Sequence, residues 1–288
     1  MRLTARLSAL LLLLAFCGFF LLPVVWLMLA TTKSDFQLQT EAPFSFGSLH
    51  RVAAAWRHLI SFNDGALVVW LGNSALYCGV ALVITLVVVI PAAYAMGLTE
   101  FRGRKLLLST TLIVMILPSS TLVLPIFLEM NAVNLVGTAW SVILPFAFYP
   151  FGVCLAYIYF ATAVPKELLE AARIDGAGEW QVFLRVAVPL ATPIIVLVAF
   201  FAFFENWNNF FLPFVMLGDS SQYPLSVGLN ELLTSTPAFN PGTGGGQLAI
   251  TQPELALATM IAAAPVLVVL IVVQRGLVRG LTAGATVG

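Results

Sequence analysis

The chain has 288 residues, 60% of them apolar and only 9% charged; thirteen basic and thirteen acidic side chains balance to zero net charge, and the mean hydropathy is +1.01. Soluble domains carry about 25% charged residues, so this composition excludes a water-facing globule and points to an integral membrane protein. No clustered basic patch exists to neutralise phosphates, which excludes a nucleic-acid surface. Cys17, Cys78 and Cys154 sit in separate apolar runs away from His50 and His58. Their spacing suits neither a disulfide framework nor a zinc site, and they read as packing residues.

A bilayer core about 30 Å thick is crossed by roughly 20 apolar helical residues. Six such runs occur, at 7–30, 67–97, 106–129, 135–160, 194–217 and 255–273. The first is longer than the ~7–15-residue core of a signal peptide and lacks a small-x-small cleavage site before Lys33, so it is expected to be a span. With the N-terminus inside, the cytoplasmic side collects Arg2, Arg6, Arg102, Arg104, Lys105, Lys166, Arg173, Arg185, Arg275 and Arg279, against Lys33, Arg51 and Arg57 outside. The positive-inside rule therefore places both termini in the cytoplasm and the longer outer loops at 31–66 and 218–254. The expected fold is all-α and polytopic, one transmembrane domain over 1–288 with six membrane helices. Pro91, Pro118, Pro125, Pro145, Pro150 and Pro213 fall within the runs, either as packing kinks or as breaks beside a pathway.

The loop between the fourth and fifth runs, 162–192, is too charged for lipid. Pro165 suits a first helical position, and Glu167 and Glu170 complement the positive end of the helix dipole. Leu168, Leu169, Ala171 and Ala172 give the turn an apolar side, and Gly176 is placed to cap it. A second helical piece is expected over about 179–186, before Pro189. From these residues alone, the first piece is either a helix lying along the membrane or a docking helix for a soluble partner.

Glu170-Ala171-Ala172, then Asp175-Gly176-Ala177 after two residues, then Val188-Pro189-Leu190, resembles the EAA loop of permease subunits of ATP-binding-cassette importers. The resemblance implies a cytoplasmic coupling helix seated on an ATPase subunit, with Glu170, Ala171, Ala172 and Gly176 making the contact and Asp175 supporting the turn. Glu205-Asn206-Trp207-Asn208-Asn209, continuing to Pro213, is similar to a segment in the fifth span of carbohydrate permeases, with Asn209 where an acidic residue is common. The stretch 277–285 resembles the tail of a maltose-type permease, which implies ATPase contacts by Arg279, Gly280, Leu281 and Thr282; Val287 replaces a common Lys. The implied assembly is a bacterial inner-membrane importer of a sugar or sugar-like solute. It contains this chain, a second homologous permease, two ATPase subunits that hold ATP and Mg, and an extracytoplasmic solute-binding protein touched by outer-loop residues such as Trp56, Phe62, Tyr223 and Phe239. This chain would bind no cofactor and catalyse no reaction.

Glu205 lies near the middle of the fifth run, where a carboxylate costs on the order of 3 kcal/mol unless it faces the bundle interior or a wet cavity. At 100° per residue, Glu205, Asn208 and Asn209 share an arc of about 100°, which Asn206 widens to about 160°. Trp207 points elsewhere. The stripe reads either as a translocation path, with Trp207 or neighbouring Phe rings stacking on a sugar, or as interhelical polar glue. A stand-alone proton-coupled transporter is the rival, but it usually builds paired ionisable groups and repeats at the midplane, whereas this chain has one carboxylate there. A membrane enzyme is a second rival. His50 and His58, with Asp35, Glu41 and Asp64, have no metal-protease or nucleophile motif around them, and no GxxxxGK[ST] phosphate cradle occurs. The glycine run at 242–246 lacks the Lys of such a cradle and reads as a flexible loop.

Overall fold

The computed structural model describes the backbone of residues 2–236, 240 and 250–284, and the side chains of 6–236, 240 and 250–274. The regular elements among these are all helical: α1 (Arg2–Ala30), α2 (Asp35–Thr40), α3 (Leu49–Ser61), α4 (Ala66–Leu98), α5 (Arg104–Ile116), α6 (Ser119–Ala132), α7 (Trp140–Ala147), α8 (Pro150–Thr162), α9 (Lys166–Ile174), α10 (Glu179–Val182), α11 (Val188–Leu190), α12 (Thr192–Asn208), α13 (Phe211–Met216), α14 (Leu225–Thr234) and α15 (Gln252–Gly284). Helices are the form that pairs every backbone group without water, so long apolar runs adopt it in lipid. Four are long and apolar enough to cross a membrane, over Arg6–Ala30, Ala66–Leu98, Trp140–Thr162 and Gln252–Gln274. Two bent pairs raise the count to six if each is one crossing: α5 with α6, at 110°, and Glu179–Leu190 with α12, at 75°.

The prolines left open as kinks or breaks divide between the two. The run at 106–129 splits where Leu117 is extended ahead of Pro118, which lacks an amide hydrogen and disfavours helical backbone in its predecessor. The fourth run begins at Trp140 rather than 135, because Asn134 (φ 56) and Gly137 (φ 80) turn the chain first. It is then interrupted at Phe148 and Tyr149, and Pro150 opens α8. The fifth run ends its helix at Asn208; Asn209 is extended (ψ 118) and α13 starts afresh at Phe211. Pro165 precedes the first helical residue of α9 instead of occupying it. The second loop helix runs beyond 186, because a π turn at Phe183–Ala187 carries the chain past Pro189, with the Val188 N–H bonded to the Phe183 carbonyl. The side chains of Arg279, Gly280, Leu281 and Thr282, and residues 242–246, Phe239 and Val287, lie outside the description.

Contacts group the chain into two units, Met1–Val69 with Gly228–Ala264, and Trp70–Val227 with Pro265–Gly288. In the first, Lys33 is fully buried and donates through Nζ to the carbonyls of Ala42 (2.7 Å) and Pro43 (3.2 Å). His58 Nδ1 meets Glu254 at 3.1 Å, and Asn63 donates to Glu231 at 3.1 Å. In the second, one core joins α4 (Val89, Ile90, Ala93, Tyr94), α8 (Ala156, Phe160), α9 (Leu169), the π turn (Phe183, Ala187) and α12 (Ile194, Val198, Ala202). One face of α4 also carries Trp70, Asn73, Ser74 and Tyr77, at helical spacing. Trp70, Asn73 and Tyr77 donate to the carbonyls of Ser220, Ser221, Gln222 and Tyr223, while Ser74 accepts from the Leu225 N–H.

Gly97 marks a close approach of α4 and α8: a Cβ there would lie 2.8 Å from Phe160 Cβ and 3.2 Å from the Ala161 nitrogen. Gly97→Ala is therefore expected to cost about 1–3 kcal/mol, seen as a lower melting temperature of the purified protein. Gly79→Ala, with nothing within 4 Å, leaves it unchanged or raises it.

Candidate functional site

Three helix breaks converge on one cavity of about 230 Å³. The α5–α6 break contributes Leu117, Ser119 and Ser120; the α7–α8 break contributes Phe146, Phe148, Tyr149 and Pro150; the α12–α13 break contributes Glu205, Asn206, Asn209, Phe211 and Leu212. A break leaves carbonyls and amides without helical partners, and in lipid such groups persist only where protein or cavity water takes their place. Protein side chains do part of this. Buried Asn206 donates to the Phe146 carbonyl (3.2 Å), and buried Thr85 reaches the Ala147 carbonyl (3.2 Å) as well as the Ala81 carbonyl in its own helix (2.8 Å). Asn209 Oδ1 accepts the Leu212 N–H (3.2 Å), which caps α13, and its own carbonyl accepts from Ser226 Oγ (2.8 Å).

The four residues expected along a path are thereby sorted. Glu205 and Asn209 line the cavity, whereas Asn208 is exposed and bonds its own helix at the Phe204 carbonyl (2.7 Å). Trp207 is buried against Phe203, with ring centroids 5.4 Å apart, and does not line the cavity. Asn208, which the helical wheel put in the same stripe, falls outside the lining, while Asn209, just past the end of the helix, reaches the cavity from extended backbone. Asn206 serves as interhelical glue at the α7–α8 break while also lining the cavity. Among the described residues Glu205 is the only carboxylate of the lining, which contains no Lys, Arg or His and mixes hydroxyls, amides and aromatic rings with aliphatic side chains such as Val114, Leu122 and Ile126. Ser119, Ser120 and the α7–α8 break were missed by a search confined to the fifth run; the signal for them was Pro118 and Pro150.

The second element of the site is the turn after α9. Leu169 points into the core, with Ala172 half-buried beside it, while Glu170, Ala171, Asp175 and Gly176 are exposed. The helix stops in a Schellman motif: the Ala177 N–H bonds the Ala172 carbonyl and the Gly176 N–H bonds the Arg173 carbonyl, each at 3.0 Å. Gly176 sits at φ 86, where a side chain strains the backbone even though the space is open. Arg173 donates to Glu179 through Nε (2.7 Å) and Nη2 (3.1 Å), clasping the turn from the far side. This pair lies in the loop ahead of α12, and the guanidinium holds the Glu179 carboxyl below its ordinary range. Its contribution is in place above the ordinary glutamate pKa and is lost only as pH falls through the lowered one, so the turn is indifferent to pH near neutrality. Ile174, on the outward side of α9, is 86% exposed, and Trp180 is 65% exposed. An Ile on the polar arc of an amphipathic helix was the available sign of this apolar tip.

The profile of the family described as the binding-protein-dependent transport system inner membrane component matches residues 89–283. The chain is 32% identical to the arabinooligosaccharide transport system permease protein of Halalkalibacterium halodurans, over 76% of this chain and 74% of that one. It is 28% identical to the trehalose transport system permease protein of Mycobacterium tuberculosis, over 94% of each. Its fold matches a chain in the crystal structure of a bacterial ABC transporter involved in the import of the acidic polysaccharide alginate, with a TM-score of 0.80, 24% identity, and coverage of 95% of this chain and 96% of that one.

The bonding at the break gives a direct expectation. Asn206→Leu leaves the buried Phe146 carbonyl unpaired, at a cost of about 1–3 kcal/mol. A fall in the melting temperature of the detergent-purified protein measures it, and an unchanged temperature would show that water already serves that carbonyl.

Proposed function

Because the chain belongs to the inner membrane component family of binding-protein-dependent transport systems, we propose that it is one of two permeases through which an ATP-driven importer moves a carbohydrate across the bacterial inner membrane. In this reading α5 with α6 makes one crossing and α12 makes another, with Glu179–Leu190 on the cytoplasmic side ahead of it, giving six spans with both termini in the cytoplasm, as the distribution of Lys and Arg supports. An extracytoplasmic binding protein delivers the solute. A second permease completes the path. The family membership carries no support for a stand-alone proton-coupled transporter.

The substrate class rests on two supports. Relatives are named for arabinooligosaccharides and trehalose, and the cavity sets hydroxyls, amides and one carboxylate among Phe and Tyr rings. The polar groups of this lining can hydrogen-bond sugar hydroxyls and its rings can stack on pyranose faces, beside aliphatic side chains such as Val114, Leu122 and Ile126. Glu205 and Asn209 are the path residues on this chain; Asn208 and Trp207 flank them.

The observation that carries the mechanism is the single core running from Leu169 beneath the exposed turn, through Phe183 and Tyr94, to Val198 and Ala202 on α12, the helix that ends at the cavity. ATP and Mg are held by two partner ATPase subunits, since this chain has no phosphate cradle. Closure of those subunits pushes on Glu170, Ala171, Ile174, Asp175 and Gly176, with the tail at Arg279, Gly280, Leu281 and Thr282 making a second contact. Packed interiors transmit such a displacement rather than absorbing it. Motion of α9 therefore carries α4, α8 and α12 with it, and the three breaks act as hinges that open the cavity to alternate sides. Coupling requires that ATP bind the two arrangements with different affinity.

Purification in mild detergent is expected to recover two ATPase copies and a second permease with this chain; a lone chain would overturn the reading. Replacing Gly176 by Val forces a β-branched residue to φ 86, a penalty of about 1–2 kcal/mol or more, and is expected to lower ATP-dependent uptake roughly tenfold. Gly176→Asn, which tolerates that backbone, retains most uptake, and Glu170→Lys abolishes it without loss of the chain from the membrane. Normal uptake by Gly176→Val and Glu170→Lys would remove the docking role.

A further inference from the structure

The mechanism makes no use of α3, yet the exposed stripe of this helix and its tethers are specific. We propose that α3 is an interfacial helix that seats its exposed apolar side among the phospholipid headgroups and upper acyl chains, at the face where α1 ends and α4 and α15 begin. The proposal rests on the reading that those three helices cross the membrane.

Three tethers fix its position. At its N-terminal end, Ser48 N–H bonds the Thr32 carbonyl (2.7 Å) and Gly47 N–H bonds Thr32 Oγ1 (3.0 Å), two residues beyond the end of α1. In its last turn, His58 Nδ1 meets the carboxylate of Glu254 at 3.1 Å, and Glu254 lies in the first turn of α15. At its C-terminal end, Ser61 precedes the first residue of α4 by five positions, a reach of about 17 Å even when fully extended. A 13-residue helix is about 20 Å long. Bound at both ends and near its last turn to the ends of three spans, it lies along the membrane surface and does not stand away from it.

Its sidedness completes the argument. Ala55 and Leu59 face the protein, 2% and 0% exposed. Leu49, Trp56 and Ile60 fall together within an arc of about 40°, yet they are 72%, 45% and 38% exposed. His58, bonded to Glu254, lies on the opposite side. Arg57 borders the stripe and is exposed, in position for a headgroup phosphate, and Phe44 and Phe46 extend the apolar surface just ahead of the helix. Large apolar residues with a Trp among them and a flanking Arg are the pattern of a helix half-sunk in the interface.

The test uses the assembled transporter in nanodiscs of phosphatidylethanolamine and phosphatidylglycerol, after replacement of Cys17, Cys78 and Cys154 by Ser. Nitroxides are placed by Leu49→Cys, Trp56→Cys and Ile60→Cys, with Arg51→Cys as a control for the water side and the lipid-exposed Val87→Cys, about two-thirds of the way along α4, as a control for lipid. Collision rates with oxygen and with a water-soluble nickel chelate are measured. The expected result is an oxygen-to-nickel ratio several-fold higher at 49, 56 and 60 than at 51, unaffected by the binding protein. Ratios equal to that at 51 would overturn the proposal. So would shielding from both probes, which assigns the stripe to the second permease, or shielding only on addition of the binding protein, which assigns it to that docking event. A water-like ratio at 87 would instead defeat the membrane reading of α4 itself.

Discussion

Hydrogen bonding of the backbone in a medium without water is the constraint on which this structure depends. A continuous helix meets it trivially, and α1 and α4 do so. The interruptions at Leu117–Pro118, Phe148–Tyr149 and Asn209–Phe210 do not, and each releases groups that must find other partners. Two carbonyls at the α7–α8 break are met by Asn206 and Thr85, from α12 and α4, so the same bonds that satisfy the break also lock three helices together. Gathering all three interruptions around one cavity lets cavity water serve what side chains do not. The defect in each helix thus becomes part of the cavity wall.

The turn after α9 solves a different problem. A docking surface must stay exposed, keep its shape and remain rigidly joined to what it moves. The Schellman bonds and the Arg173–Glu179 clasp hold the shape, while Leu169 anchors the turn to a core shared by α4, α8 and α12. The apolar tip at Ile174 stays exposed, as the proposed docking role requires. Surface ion pairs are each worth little, so the anchoring comes chiefly from buried apolar contact, and the clasp selects the turn's geometry.

Much of this was legible in the sequence. The Glu170–Gly176 pattern is a local signal, and it survives into the fold: α9 and its αL glycine stand where those residues place them. The breaks were legible only as alternatives. Pro91, Pro125 and Pro145 remain inside helices, whereas Pro118 and Pro150 follow residues that leave helical geometry. The difference is a tertiary property that no window of sequence contains. The same limit explains Asn209. Period-3.6 reasoning assumes the helix continues, and here it ends one residue earlier, so Asn209 lines the cavity from extended backbone and also caps α13. The polar face of α4 at Trp70, Asn73, Ser74 and Tyr77 was likewise hidden, since its partners are main-chain atoms some 150 residues away.

The central claim is that the cavity at the three breaks is a water-filled path whose access alternates with nucleotide. Ser120, from the α5–α6 break, lines it. With the native cysteines replaced, Ser120→Cys in the assembled transporter is to be challenged with a membrane-impermeant methanethiosulfonate from each side in turn. The account predicts labelling from one side without nucleotide and from the other after ATP is trapped. Labelling that is absent in both states, or identical in both, would contradict it.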